Sequence, residues 1–253
     1  MCNGHVPNGN RCGISWGLND SGYCWHHEWQ GIPRCQGFKI GTKQPCGNAA
    51  KQDYDYCCAT HDPTIPYTAP KVLDPIGFNL RTTVQRDVVA RYHGNDIYNR
   101  GELDLVTPYA LDLDHIVEKQ CFTYMLYKMD LHPGDETWHL ATEMLRNSVV
   151  NEVDNLTLTR PSTNRIKGRC VWKYLDDQRT GHLDKTFTGY LLAVERDGEH
   201  LERDVTRRIT RNMGRSIKKS QRQLANEGET PVLEQLSEQL QQLYVDMDLH
   251  GDR

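Results

Sequence analysis

An α+β chain is expected, with a small strand, strand, helix core set in a mainly helical domain and two small metal-binding modules in front of it. Three observations lead there. Cysteine and histidine recur in a fixed order through the first 61 residues, residues 111–115 alternate Leu and Asp, and several later stretches place apolar residues at helical spacing.

The repeat comes first in the chain. Cys2, Cys12, Cys24 and His27 are matched by Cys35, Cys46, Cys58 and His61, with offsets of 33, 34, 34 and 34 residues. Both copies end C-x-x-H. Turn formers fill the gaps (Pro7, Asn8 and Gly9; Lys43, Gln44 and Pro45), so each copy has too little apolar side chain to fold by burial alone and a bound ion must supply the stability. Three thiolates and one imidazole suit a closed, structural, tetrahedral Zn2+. The pattern resembles short tandem Cys3His zinc fingers. Cys57 could replace Cys58 as a ligand, but only Cys58 preserves the repeat. A disulfide framework would explain neither the histidines nor the repeat. Trp16, Trp25, Trp29, Arg34, Lys39 and Lys43 could grip phosphate or stack on bases. Protein contact, or plain coverage of the metal by Tyr23, Trp25, Tyr54 and Tyr56, is the competing use.

The domain plan follows from composition. Modules at 1–31 and 32–62 precede a linker at 63–75, where Pro63, Pro66, Pro70 and Pro75 read as extended chain. A domain at 76–202 holds a motif core at 110–177, then a basic helical segment at 203–225 and an amphipathic C-terminal helix and tail at 226–253. Within it, 83–92 carries Val84, Val88 and Tyr92 at helical spacing. Residues 118–129 carry Phe122, Met125, Leu126 and Met129 on one stripe, and 136–149 carry Trp138, Leu140, Met144 and Leu145. Residues 187–194 read as buried. Cys121 and Cys170 read as buried thiols. Leu233, Leu236, Leu240 and Leu243, spaced three, four and three, mark a helix that packs on the body or pairs in a homodimer.

The net charge of −4 over 253 residues does not announce a nucleic-acid partner. Its distribution is more telling, since residues 203–222 hold eight Arg or Lys against Asp204 alone. Among them Arg207, Arg208, Arg211, Arg215, Lys218 and Lys219 are candidate phosphate contacts. No run of eighteen apolar residues and no export signal is visible, so no membrane partner is indicated and a cytoplasmic or nuclear location is expected.

The chemistry is expected where LDLDHIVEKQ (111–120) meets NEVDNLTLTRPSTNRIKG (151–168). The alternation sends Leu111 and Leu113 to one strand face and Asp112 and Asp114 to the other, and His115 ends the strand. Asn155 opens a second strand over 156–159. Pro161 and Ser162 punctuate a helix start with Asn164 in its first turn. This order resembles the HNH, or ββα-metal, endonucleases, in the branch reading D/E-H-I, then N-L-T-L, then N-x-x-K. Glu118 stands where that family often has Pro, and the excursion from His115 to Asn155 is long for a hairpin.

The resemblance implies a ββα-metal core that hydrolyses DNA to 5'-phosphate and 3'-hydroxyl ends, with RNA left open as substrate. Asp114 and Asn164 would hold Mg2+ or Mn2+, His115 would act as general base, and Asn155 would tie the strands. Lys167 and Arg165 would meet phosphate, with Arg160, Arg169 and Lys173 extending the basic face. Asp112 would be an acceptor behind the ligands or an extra ligand. A restriction or defence nuclease, a mobile-element nuclease and a DNase toxin share such a core. A non-catalytic zinc-module protein that binds nucleic acid on the same scaffold is the other class. A zinc peptidase fits poorly, since no H-E-x-x-H pair exists.

Overall fold

Turn-rich sequence with few apolar residues gives the described residues among the first 65 no regular helix or sheet beyond two 3-10 turns, Glu28–Gln30 and Ala59–His61, and isolated bridges such as His5 with Arg11 and Phe38 with Pro45. In this computed structural model, which describes residues 1–39, 41–107, 109–193 and 200–249, the chain divides into Met1–Ile65 and Pro66–Arg253. The two halves of the first unit repeat each other in backbone pairing. Cys12 N donates to Gly4 O at 2.8 Å, and Cys46 N to Gly37 O at 2.8 Å.

The second unit mixes helices with two small antiparallel sheets. Helix α1 (Leu80–Arg91) starts at Asn79, whose side chain accepts from Thr82 N. A two-residue pair, β1 (Asn95–Asp96) with β2 (Gly101–Glu102), follows. Strand β3 (Asp112–His115) pairs with β4 (Leu156–Thr159) in the register Asp112 with Thr159 and His115 with Leu156. Between them run α2 (Lys119–Lys128) and α3 (Glu136–Leu145), the latter continuing into a wide turn at Arg146–Val150. Helix α4 (Pro161–Thr180) begins directly after β4, with Pro161 in its first turn where the missing N–H costs nothing. Then come α5 (Phe187–Leu192), α6 (Arg203–Asn226) and α7 (Pro231–Asp246). Val194, at the end of the segment read as buried, lies outside the described residues, as does the tail from 250 onward.

Period decides what each element buries. On α3, Trp138, Ala141 and Leu145 face the core while Leu140 is 43 % exposed, since two residues turn a helix by about 200° and carry it off the stripe. The stripe expected through Leu140 is corrected accordingly. Ile209, Met213, Ile217 and Leu224 of α6 share the main core with Leu233, Leu236, Leu240 and Leu243 of α7. Those leucines are therefore used within the chain, on α2, α3 and α6, and not held out for a homodimer. The linker also ends earlier than its prolines suggest. A 3-10 turn at Pro70–Leu73 buries Leu73 completely in the core, and Asn151 Nδ2 donates to Leu73 O at 2.9 Å.

Both faces of the β3–β4 pair are covered. Leu111, Leu156 and Leu158 pack with Val88 of α1. The opposite face carries Asp114, Thr157 and Thr159, all buried, under α4 and the 96–99 segment. This polar layer is the foundation of the candidate site.

Candidate functional site

The two Cys/His groups are assembled. Cys2, Cys12, Cys24 and His27 bring one ligand atom each within 4.8 Å of one another, and Cys35, Cys46, Cys57 and His61 do the same. Ligands at about 2.3 Å (sulfur) and 2.0–2.1 Å (nitrogen) from one tetrahedral ion stand roughly 3.8 Å apart S to S and roughly 3.6 Å S to N. Cys12 and Cys24 sulfurs are 3.9 Å apart, and His27 Nδ1 lies 3.7 Å from Cys2 and 3.3 Å from Cys24. In the second group Cys46 to Cys57 is 3.8 Å, with His61 Nδ1 at 3.5 Å from Cys35 and 3.2 Å from Cys57. A disulfide needs about 2.05 Å, so the sulfurs are spaced for a shared ion and not for bonds. Both groups could hold structural zinc.

Cys57, not Cys58, completes the second group, which corrects the ligand inferred from the repeat. Cys58 Sγ lies 3.8 Å from Cys57 Sγ but turns to Thr60 Oγ1 at 3.0 Å and stays outside the group of four. The second module closes C-x3-H where the first closes C-x2-H.

Backbone amides complete each centre. Gly4 N and Cys24 N each donate to Cys2 Sγ at 3.2 Å, and Gly37 N to Cys35 Sγ at 3.4 Å. Burial opposes a thiolate at Cys2, but those amides outweigh it and bring the thiol down to about 6. The glycines have a steric reason as well. A Cβ on Gly4 would stand 2.3 Å from His27 Cβ, and one on Gly37 2.5 Å from His61 Cβ. The signal was present in the sequence as C-x-G after the first ligand of both copies, and the ligand pattern alone passed over it. Trp25, expected as metal cover, is 70 % exposed, as Trp16 is at 74 %.

The strand pair brings some of its expected residues together and separates others. Asp114 is 2 % exposed, and both its oxygens lie 2.8 Å from Lys167 Nζ. Tyr98, a residue no motif marked, donates its hydroxyl to Asp114 Oδ2 at 3.0 Å. Lys167, fully buried, also donates to His115 O at 2.7 Å and Glu118 Oε1 at 2.8 Å. Burial disfavours its ammonium, but the two carboxylates outweigh burial and hold its pKa above the usual lysine value. Its donors are committed to the protein, so phosphate contact by Lys167 is corrected to an internal lock between β3 and α4.

Asn164 reaches Asp112 instead of Asp114, donating Nδ2 to Oδ2 at 3.1 Å, and both residues are half-buried. The amide presents its nitrogen, a donor, to the carboxylate. Asp112 and Asn164 are thus the more accessible of the expected ligands, while Asp114 is enclosed. Asn155 does tie the elements. Its Oδ1 accepts from Val117 N at 2.8 Å and Ser216 Oγ at 2.8 Å, and its Nδ2 donates to Val117 O and Val150 O.

His115 points away from the aspartates by strand alternation, and its Nε2 lies 3.2 Å from Asn151 Oδ1. Burial and the nearby Lys119 charge lower its pKa to about 4, so its imidazole is neutral at physiological pH. On α4, Arg165, Arg169 and Lys173 are exposed, as is Arg160 just before it. On α6, Arg208 Nε donates to Tyr98 O, so it is corrected from a nucleic-acid contact to an internal one, and Arg207 lies 3.4 Å from Asp204. Arg215, Lys218 and Lys219 line an open cleft.

A second polar cluster was missed. Asp96 Oδ2 accepts from Thr159 Oγ1 at 2.9 Å and Asn99 Nδ2 at 2.8 Å, and Asn99 Nδ2 also reaches Thr163 Oγ1 at 3.1 Å. Nothing in the local pattern of 96–99 marks it, because its partners lie about 60 residues away. Among the described residues no helix is long and apolar enough to cross a membrane. No family model, no curated protein and no solved structure matches the chain.

Proposed function

We propose that the second unit is a metal-dependent HNH-type endonuclease and that the first carries two structural zinc modules. One observation supports this reading above the rest. The antiparallel pair of β3 and β4 is followed at once by α4, so that D-H-I, N-L-T-L and N-x-x-K come from three sequence pieces to one strand, strand, helix unit.

Asp112 and Asn164 would hold the cation in place of the Asp114 and Asn164 pair that the resemblance implies. When bound, Mg2+ or Mn2+ would neutralise charge on the phosphate and its leaving oxygen. The chain's own groups do the rest. The resemblance implies neutral His115, oriented by Asn151 on the strand face opposite Asp112, as the group that accepts a proton from water. Asn155 holds the strand ends together, and Lys167, paired with Asp114, fixes the backbone at His115 by donating to its carbonyl.

The test is nicking of supercoiled plasmid by zinc-loaded protein with Mg2+ or Mn2+ and with neither. Metal-dependent nicking that His115→Ala abolishes supports the reading. Metal-independent nicking, or none at all with a folded protein, refutes it. Binding of Mn2+ followed by electron paramagnetic resonance separates the carboxylates: Asp112→Asn should abolish it and Asp114→Asn should spare it. The enclosure of Asp114 by Lys167 and Tyr98 favours a second reading, a zinc-module nucleic-acid-binding protein on a non-catalytic scaffold. Duplex binding without nicking would establish that alternative.

A further inference from the structure

Beside the strand pair, the end of α1 and one face of α6 enclose an open cleft of about 790 Å³, floored by Ile116, Val153 and Asp154. Its walls carry Arg91, Arg215, Lys218, Lys219 and Arg222 against Asp87 and Asp154, five cations less two carboxylates, or +3, on a chain whose net charge is −4. Helical period explains the sorting. Ile209, Met213, Ile217 and Leu224 take one side of α6 into the core, which leaves Arg215, Lys218 and Arg222, spaced three and four, on the exposed side.

The acids do not neutralise this face. Asp154 is shared by Arg91 and by Lys219, the latter at 3.3 Å. Among the described residues no carboxylate is paired with Arg215 or Arg222, and Lys218 lies 4.9 Å from the centre of the Tyr244 ring. The three cations span seven residue steps of helix, about 10 Å at 1.5 Å per step. That is roughly three phosphates of one strand at 3.4 Å rise each. A line of separated cations suits a polymer of phosphates better than a single anion. A protein partner would need apolar surface at the centre of its footprint, whereas Ile116 here is buried in the floor.

We propose that this cleft binds the sugar-phosphate backbone of a nucleic-acid strand, with Arg215, Lys218 and Arg222 as its contacts. The cleft is joined to the candidate site. Ser216, between two of these contacts, donates to Asn155, and Ile116 of the floor follows His115 and donates its N–H to Asn155 O at 2.7 Å. A strand held here passes the His115 end of β3. The inference rests on the nuclease reading only for what becomes of the bound strand.

The experiment uses full-length protein in buffer free of Mg2+ and Mn2+, a fluorescein-labelled 30-base-pair duplex and a salt titration followed by anisotropy. The triple variant Arg215→Ala, Lys218→Ala, Arg222→Ala is compared with a charge-matched control, Lys71→Ala, Lys128→Ala, Lys185→Ala. Each lost phosphate contact lowers the log–log salt slope by about 0.9, so the cleft variant should lose between two and three in slope and at least tenfold in affinity. The control should bind as the unmodified protein does. Equal binding by both triples and the unmodified protein overturns the proposal, and so does an equal loss in both triples. Binding through the cleft without nicking in Mg2+ would refute the nuclease reading and leave the cleft standing. Nicking at undiminished kcat/KM by the cleft variant would do the reverse.

Discussion

Replacing Lys167 by Met puts the central lock under direct test. The substitution keeps length and volume but removes the ammonium that meets Asp114, Glu118 and the His115 carbonyl. Glu118 has a side chain 14 % exposed and can turn toward water, whereas the Asp114 side chain at 1 % cannot. Removing one partner of a buried pair costs about 3–5 kcal/mol; burial already raises the Asp114 carboxyl to about 7 beside Lys167, so without the ammonium it is left as a protonated, desolvated acid lacking its partner. With a urea dependence of about 2–3 kcal/mol per molar, the unfolding midpoint should fall by about 1.5 M. Replacing Asp114 with Leu in the same chain removes the orphaned carboxyl, and at least about 2 kcal/mol should return. Equilibrium urea unfolding of the unmodified chain, both single variants and the double variant gives the coupling directly. A Lys167→Met variant within about 1 kcal/mol of the unmodified protein, or strictly additive losses in the double, would refute the lock and return Lys167 to the role of a phosphate contact.

Three further outcomes are expected. Purified protein should carry two zinc ions per chain by elemental analysis, Cys57→Ala one and Cys58→Ala two; one ion in the Cys58 variant would return that residue to the ligand set. Gly4→Ala should cost the first centre its ion, because the added methyl falls 2.3 Å from His27 Cβ and neither residue can move without breaking the ligand geometry; retention of both ions at full affinity would contradict this steric account. His115, with its pKa lowered from 6.5 to about 4, resists protonation in the folded chain, so its contribution is complete above pH 6.5 and is lost as pH falls through 4. That contribution is at most about 3 kcal/mol, and His115→Gln should flatten this part of the stability profile in urea midpoints at pH 7 and 4.5. Parallel profiles for the two proteins would argue against it.

Local pattern carried much of this chain. The Cys/His repeat located both metal groups except for one ligand, since spacing reports distance along the chain and not which of two adjacent thiols reaches the other ligands. The β3 and β4 strands, the start of α4 and the basic stretch of α6 were all legible, because period and Pro placement act within a few residues. The leucines of α7 were legible as a stripe, but not their destination. An apolar face states that it will be buried and leaves open by what.

Tertiary packing alone decided the polar interior. Asp112 and Asp114 share a strand face and alternation does not tell them apart, yet one is enclosed by Tyr98 and Lys167 while the other meets Asn164 near solvent. Which carboxylate is neutralised from within depends on a tyrosine 16 residues away and a lysine 53 residues away, brought together when α4 and the 96–99 segment close over the strands. The same closure took Arg208 inward and left Arg215, Lys218 and Arg222 facing the cleft. The sequence by itself determined which elements form and which ions the first 61 residues can hold. The use of each charged side chain was set by desolvation, and desolvation depends on neighbours that only the folded chain supplies.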